Sequence, residues 1–203
     1  MFFVCTNSVI KAIRRALTLA PIHMVLVMLI LQAPQPACAQ TATDEYKVKA
    51  AFLFHFAQLV DWPSDAFNSG DQSLNLCFFD DEPHLQELQG ALEGKPIGYR
   101  VVHVRLLHPT QPVQGCSILF LGRDDGRRQT ASLRKLHGQP VLTVGESNNF
   151  LSEGGIIRLH LEQDKVRFDI NVGVADSSRL KISSRLLLLA SSVTLSDQAK
   201  GGQ

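Results

Sequence analysis

The stretch "GGIIRLHLEQDKVRFDINV", residues 154–172, constrains the fold more than any other segment. Val166, Phe168, Ile170 and Val172 alternate with Arg167, Asp169 and Asn171, and Ile157, Leu159 and Leu161 alternate with Arg158, His160 and Glu162. Two-residue periodicity on both sides of Gln163-Asp164 predicts a hairpin with one apolar and one polar face. That turn pairs Glu162 with Lys165, His160 with Arg167 and Arg158 with Asp169. The Arg158–Asp169 pair is then either a solvated cross-strand pair contributing at most roughly 1 kcal/mol, or part of a polar face covered by a partner protein.

Elsewhere, apolar strand-like runs alternate with helical patterns. The sequence predicts a helix over 44–61, a strand over 74–79, a short helix near 82–90, strands over 99–107 and 116–122, a helix over 126–137 stopped at Gly138, a strand over 140–145 and, after the hairpin, a helix over 183–193 capped by Ser183 or Ser184. Such interleaving predicts an α/β three-layer sandwich, its mixed central sheet flanked by helices on both faces.

The N-terminus belongs to another class of segment. Lys11, Arg14 and Arg15 precede the apolar run "IHMVLVMLIL", and Ala37 and Ala39 flank Cys38 in a small-x-small pattern. This reads as a cleaved export signal over residues 1–39, leaving a domain over 40–196 and a polar, disordered tail over 197–203. The alternative is an uncleaved anchor, for which the run is short. Gln35 stands where a lipoprotein signal needs leucine or a similar residue. The expected location is therefore the periplasm, with no membrane insertion after cleavage. A formal charge of +1 lacks the basic excess of a nucleic-acid-binding protein.

Cys77 and Cys116 are the cysteines left in the mature chain. In an oxidising compartment an even pair suggests one disulfide, closing a loop of about 40 residues and contributing roughly 4 kcal/mol. The alternative is two buried thiols. Metal binding fits less well, without a C-x-x-C motif or a nearby histidine at ligand spacing.

The segment "VKAAFLFHFAQLVDWPSDAF", residues 48–67, reads as an amphipathic helix. Phe52, Leu53, Phe56, Leu59 and Val60 occupy a wide apolar arc, with Asp44, Lys47, His55, Gln58 and Asp61 opposite. Lys49 falls in the apolar arc, where it is expected to snorkel. Phe54 falls in the polar arc, either as an isolated exposed ring or as an interface aromatic. Trp62-Pro63 is expected to end the helix, the indole capping the core.

Together "YKVKAAFLFHFAQLVDWP", "LNLCFFDDEPHLQELQGALEGKPIGYRVVHVRLL", "GCSILFLG", "PVLTVGESNNFLSEGGIIRLHLEQDKVRFDIN" and "KISSRLLLLASSV" resemble, in order, the YfiR-like family of periplasmic proteins. The resemblance spans about Tyr46 to Val193. It implies an α/β sandwich without catalytic activity or cofactor. It also implies a repressor that binds the periplasmic domain of an inner-membrane diguanylate cyclase, can be dimeric, and is sequestered by an outer-membrane lipoprotein. Cyclic-di-GMP synthesis and biofilm formation are the implied outputs. The family's first disulfide maps onto Cys77 and Cys116. A second pair found in some members is absent here, since 145–161 contains no cysteine. Partner contacts of the family map onto Asp169, Val172 and Ala175, to which the residues themselves add Phe54 and Arg158. Related domains attached to sensor kinases imply the alternative, a small-molecule sensor.

No catalytic constellation stands out. Ser183, Ser184, His160 and Asp169 include the residue types of a triad, but no G-x-S-x-G elbow exists. "GRDDGRR", residues 122–128, lacks calcium-loop spacing and reads as a strand-to-helix turn. "EGG", residues 153–155, lacks the Lys-Ser/Thr of a phosphate loop. The histidines are scattered, so no metal site is expected.

Overall fold

The computed structural model describes the backbone of residues 38–67, 72–122 and 126–195, and side chains from residue 45 onward. The chain divides into two units, Met1–Gln40 and Thr41–Gln203. The expected leader up to residue 37, the tail over 197–203 and residues 123–125 of the "GRDDGRR" turn lie outside the described residues.

Helix α1 (Cys38–Leu59) buries Ala50, Leu53, Phe56 and Ala57, which follow one another at steps that keep them on one helical face. It stops earlier than the sequence predicts. Val60–Asp61 leaves it as the short strand β1, paired antiparallel with a strand from the other end of the domain (Val60 with Ile182, Asp61 with Lys181). Pairing claims these two residues before the pre-proline restriction at Trp62 acts. A single 3₁₀ turn follows over Ser64–Ala66.

Then come β2 (Ser73–Phe79), α2 (Leu85–Leu92), β3 (Pro96–Ile97), β4 (Arg100–Leu107), β5 (Ile118–Leu121), α3 (Gly126–Leu136), β6 (Leu142–Gly145), β7 (Ile157–Glu162), β8 (Lys165–Asn171), α4 (Val172–Ser177), β9 (Lys181–Ile182), α5 (Ser184–Leu189) and β10 (Ser192–Thr194). The main sheet has eight strands in the order β10-β8-β7-β6-β5-β2-β4-β3. From β4 to β7 neighbours are parallel; β8 runs against β7, and β10 runs parallel to β8. The hairpin register is the one the alternation predicts, Arg158 opposite Asp169 and Glu162 opposite Lys165. Gln163 and Asp164 turn it with φ of +50° and +60°, the geometry of a tight two-residue loop.

The C-terminal region departs from expectation. The helix predicted over 183–193 is only Ser184–Leu189, capped by Ser183, whose side chain accepts from the Leu186 N–H. Residues 192–194 form β10, and α4 was not foreseen. Pairing with β8 turns this segment into an edge strand, and no local pattern announces such a pairing.

Alternation along the strands splits the core between the two faces. Leu74, Leu76, Phe78, Ile118, Phe120 and Val144 pack with α1, α2 and α5, through Leu53, Phe56, Leu88, Leu92 and Leu186. Cys77, Phe79, Leu119 and Leu121 pack on the other face with Leu133 and Leu136 of α3. On that second face the connection 108–117 returns from β4 to the parallel strand β5 without a helix. Three features hold it down. Val113 is buried, Arg105 Nη1 donates to the carbonyls of Gln114 and Gly115, and a Cys77–Cys116 disulfide joins it to β2.

Candidate functional site

The central parallel strands follow the order β4-β2-β5-β6-β7: from β2 the chain moves to β4 on one side, then crosses back to β5 on the other and continues to β6. In open α/β sheets the crevice beyond the strand C-termini at such a reversal is the usual ligand site. Here the protein fills it with its own charges. Glu82 follows β2, Gly122 follows β5 and Glu146 follows β6, while α1 brings in Glu45, Tyr46 and Lys49.

Lys49 does not snorkel. It is 3% exposed, with Nζ 2.6 Å from Glu146 Oε1 and 2.7 Å from Glu45 Oε1. Its ammonium also lies 4.2 Å from the centre of the Tyr46 ring, and Tyr46 stacks on His84 at 4.3 Å. Glu146 is 6% exposed. Its contact with Lys49 is close but lacks hydrogen-bond alignment, leaving Oε1 without a conventional donor. Glu82 Oε1 is likewise buried without a hydrogen-bond partner. Burial, then the neighbouring Glu146 carboxylate, push Glu82 up to about 7, against the opposing pull of the Gly122 N–H and Lys49. A Cβ on Gly122 would stand 2.4 Å from Glu82 Oε2, so the glycine leaves the room this carboxylate occupies.

A second polar centre lies on the hairpin. Asp169, 6% exposed, accepts from Arg158 (Nη2 at 2.8 Å) and from Ser192 Oγ of β10 (2.8 Å), with His160 Nδ1 3.3 Å away. Arg158 also donates to the Asn148 carbonyl. The pair is thus a largely buried hub tying β10 to the hairpin, not the solvated pair expected as one alternative.

The remaining residues named from sequence are dispersed. Phe54 is half-buried against the core, with the Lys95 ammonium 5.1 Å from its ring centre. Val172 opens α4 half-buried, and Ala175, inside it, is fully buried. Trp62 donates from Nε1 to the Ser117 carbonyl. Among the described residues, no group of three or more histidine, cysteine, aspartate or glutamate side chains could hold a metal ion, and no helix is long and apolar enough to cross a membrane.

An apolar groove of about 370 Å³ opens between α1, α5 and the sheet, lined chiefly by Phe52, Phe56, Leu59, Phe168, Leu186 and Leu189. Next to it Leu188 is 86% and Leu189 61% exposed, and Val193 of β10 and Leu195 are also exposed. The helix expected over 183–193 does not announce this surface: the chain leaves the helix after Leu189 and pairs as β10.

The architecture is that of a mixed α/β sandwich whose strand-end crevice is closed by internal charge and which carries an apolar groove with exposed leucines beside the β10 edge. The chain belongs to the YfiR/HmsC-like family, whose model matches residues 46–191. At the level of the family this is a periplasmic, non-catalytic regulator of cyclic-di-GMP signalling.

Proposed function

We propose that this protein is exported to the periplasm, where it represses an inner-membrane diguanylate cyclase by binding the enzyme's periplasmic domain. An outer-membrane lipoprotein that captures the repressor would relieve the inhibition. Repression requires tighter binding to the inactive than to the active cyclase, since equal affinity for both shifts nothing. The observation that supports a docking role is the apolar groove beside α5 together with Leu188, Leu189 and Val193 at the β10 edge. Large exposed leucines beside an open strand edge fit a protein partner.

Among the residues named from sequence, Val172 follows Asn171, which pairs with Thr194 of β10. Arg158 and Asp169 act by holding Ser192, and hence β10, in place. Ala175 acts by packing α4, and Phe54 offers a separate half-buried ring. The test combines a deletion strain with a double variant, Leu188→Asp with Leu189→Asp. Deletion should raise cyclic-di-GMP and attachment. The double variant should lose binding to the cyclase's periplasmic domain while melting as the parent does. Unchanged cyclic-di-GMP in the deletion strain would refute the role.

The groove also favours a second reading, a small-molecule sensor acting with a sensor kinase. Its aromatic walls (Phe52, Phe56 and Phe168) and the rim residues His55 and Arg185 suit a flat aromatic anion. Calorimetry with aromatic carboxylates, giving no heat at millimolar concentration, would eliminate it.

A further inference from the structure

Where three strands end, a buried Lys49–Glu146 pair lies close enough to Glu82 for both charges to act on it, and the three charges do not balance. Lys49 is one cation; Glu146 is buried beside it, and Glu82 approaches through the gap that Gly122 leaves. Glu45, the remaining partner of Lys49, is partly open to water. With both carboxylates ionised, two negative charges share one ammonium in a site only partly open to water, whereas a single proton on the pair leaves one carboxylate for one ammonium.

We propose that Glu82, Glu146 and Lys49 form a proton-operated latch fastening the N-terminal half of α1 and the loop before α2 to the ends of β2, β5 and β6. Protonated, Glu82 sits without charge against Gly122. Ionised, it is repelled by Glu146 and drawn toward water. Because Glu82 leads through Pro83 into His84, its departure loosens the Tyr46–His84 stack and with it the seat of α1. The charged groups facing Glu82, among the described residues, are Glu146 after β6, Lys49 on α1 and Asp81 on its own loop, with Glu45 and His84 just beyond. Acidification closes the latch and a rise through neutrality opens it. The inference stands apart from the repressor reading, since it concerns motion within the domain alone.

Hydrogen exchange of the intact protein between pH 5.5 and 8, corrected for intrinsic rates, tests it. Amides of residues 45–50 and 81–85 should gain about tenfold protection per pH unit at most on acidification, while amides of β7 and β8 stay level. Glu82→Gln should remove the dependence and keep these segments protected throughout. A response that survives in Glu82→Gln would assign it to His84 instead and overturn the proposal. Carbon-13 detection of the Glu82 carboxyl in the unaltered protein gives a check independent of any variant. A midpoint in the ordinary glutamate range would also overturn it.

Discussion

The ring of Phe150 lies between Gly145 and Gly155, where a Cβ on either glycine would stand 2.2 Å from a ring carbon. Phe150 is fully buried, so it has nowhere to retreat. Gly155→Ala should therefore destabilise the domain by about 1–3 kcal/mol through overpacking, whereas Gly154→Ala meets no neighbouring atom but a φ of +95° that strains any side chain. Urea melts of Gly155→Ala alone and with Phe150→Leu check this; the second change should recover part of the loss.

The disulfide replaces the helix that the β4–β5 connection lacks. Removing it as Cys77→Ala with Cys116→Ala should cost roughly 4 kcal/mol, the chain-entropy value for a closed loop of this size. Denaturant unfolding of parent and variant measures the difference, and reductant should lower only the parent's midpoint.

Lys49 and Glu146 form a buried pair in which each charge depends on the other. Lys49→Ala should cost about 3–5 kcal/mol because it strands a buried carboxylate. Lys49→Met combined with Glu146→Leu should lie much closer to the parent. A double-mutant cycle read by thermal unfolding decides whether the loss comes from the charge left behind.

Global stability should follow the proton on Glu82. Burial and the Glu146 carboxylate raise it from the ordinary glutamate value of 4.5 to about 7, so the folded state binds the proton more tightly than the unfolded state. The resulting stabilisation is fully present below the unfolded value and is lost as pH rises through about 7. Allowing for its partial contact with solvent, roughly 1–2 kcal/mol should disappear between pH 5 and 8. Chemical denaturation across that range should show the decline in the parent, and a flatter profile in Glu82→Gln.

Asp169 fastens β10 through Ser192. Asp169→Ala should leave Arg158 and His160 without their shared acceptor, at about 1–3 kcal/mol, and should expose the amides of residues 192–194 to exchange first. Ser192→Ala should reproduce the exchange effect with a smaller loss of stability.

Elements whose pattern closes locally could be read from the sequence. The hairpin register follows from alternation and a two-residue turn, and α3 ends before Gly138, whose φ of +72° suits glycine. The disulfide followed from compartment and cysteine number. Features set by distant partners were hidden. Lys49 looked like a snorkelling lysine because Glu146 lies far along the chain. Glu82 follows Asp80 and Asp81 in sequence, and nothing local sets it apart from them or shows that Gly122 makes room for it. The leucines of α5 suggested a longer helix because the parallel pairing of β10 with β8 has no local signature. The one signal available for the strand-end cluster was a lysine within the apolar arc of α1.

The pairing of β1 with β9, and the bond from the Ser183 N–H to the Leu59 carbonyl, join the first helix of the domain to its last. Phe56 and Leu186 accordingly share one core. A nascent chain cannot complete this closure until residues 181–186 are available, and joining segments so far apart in sequence carries a loop-closure cost that local contacts do not. Until that segment is made, Phe56 and its neighbours on the first helix lack part of the cover they have in the folded domain, so late-made residues complete a face that early-made ones begin.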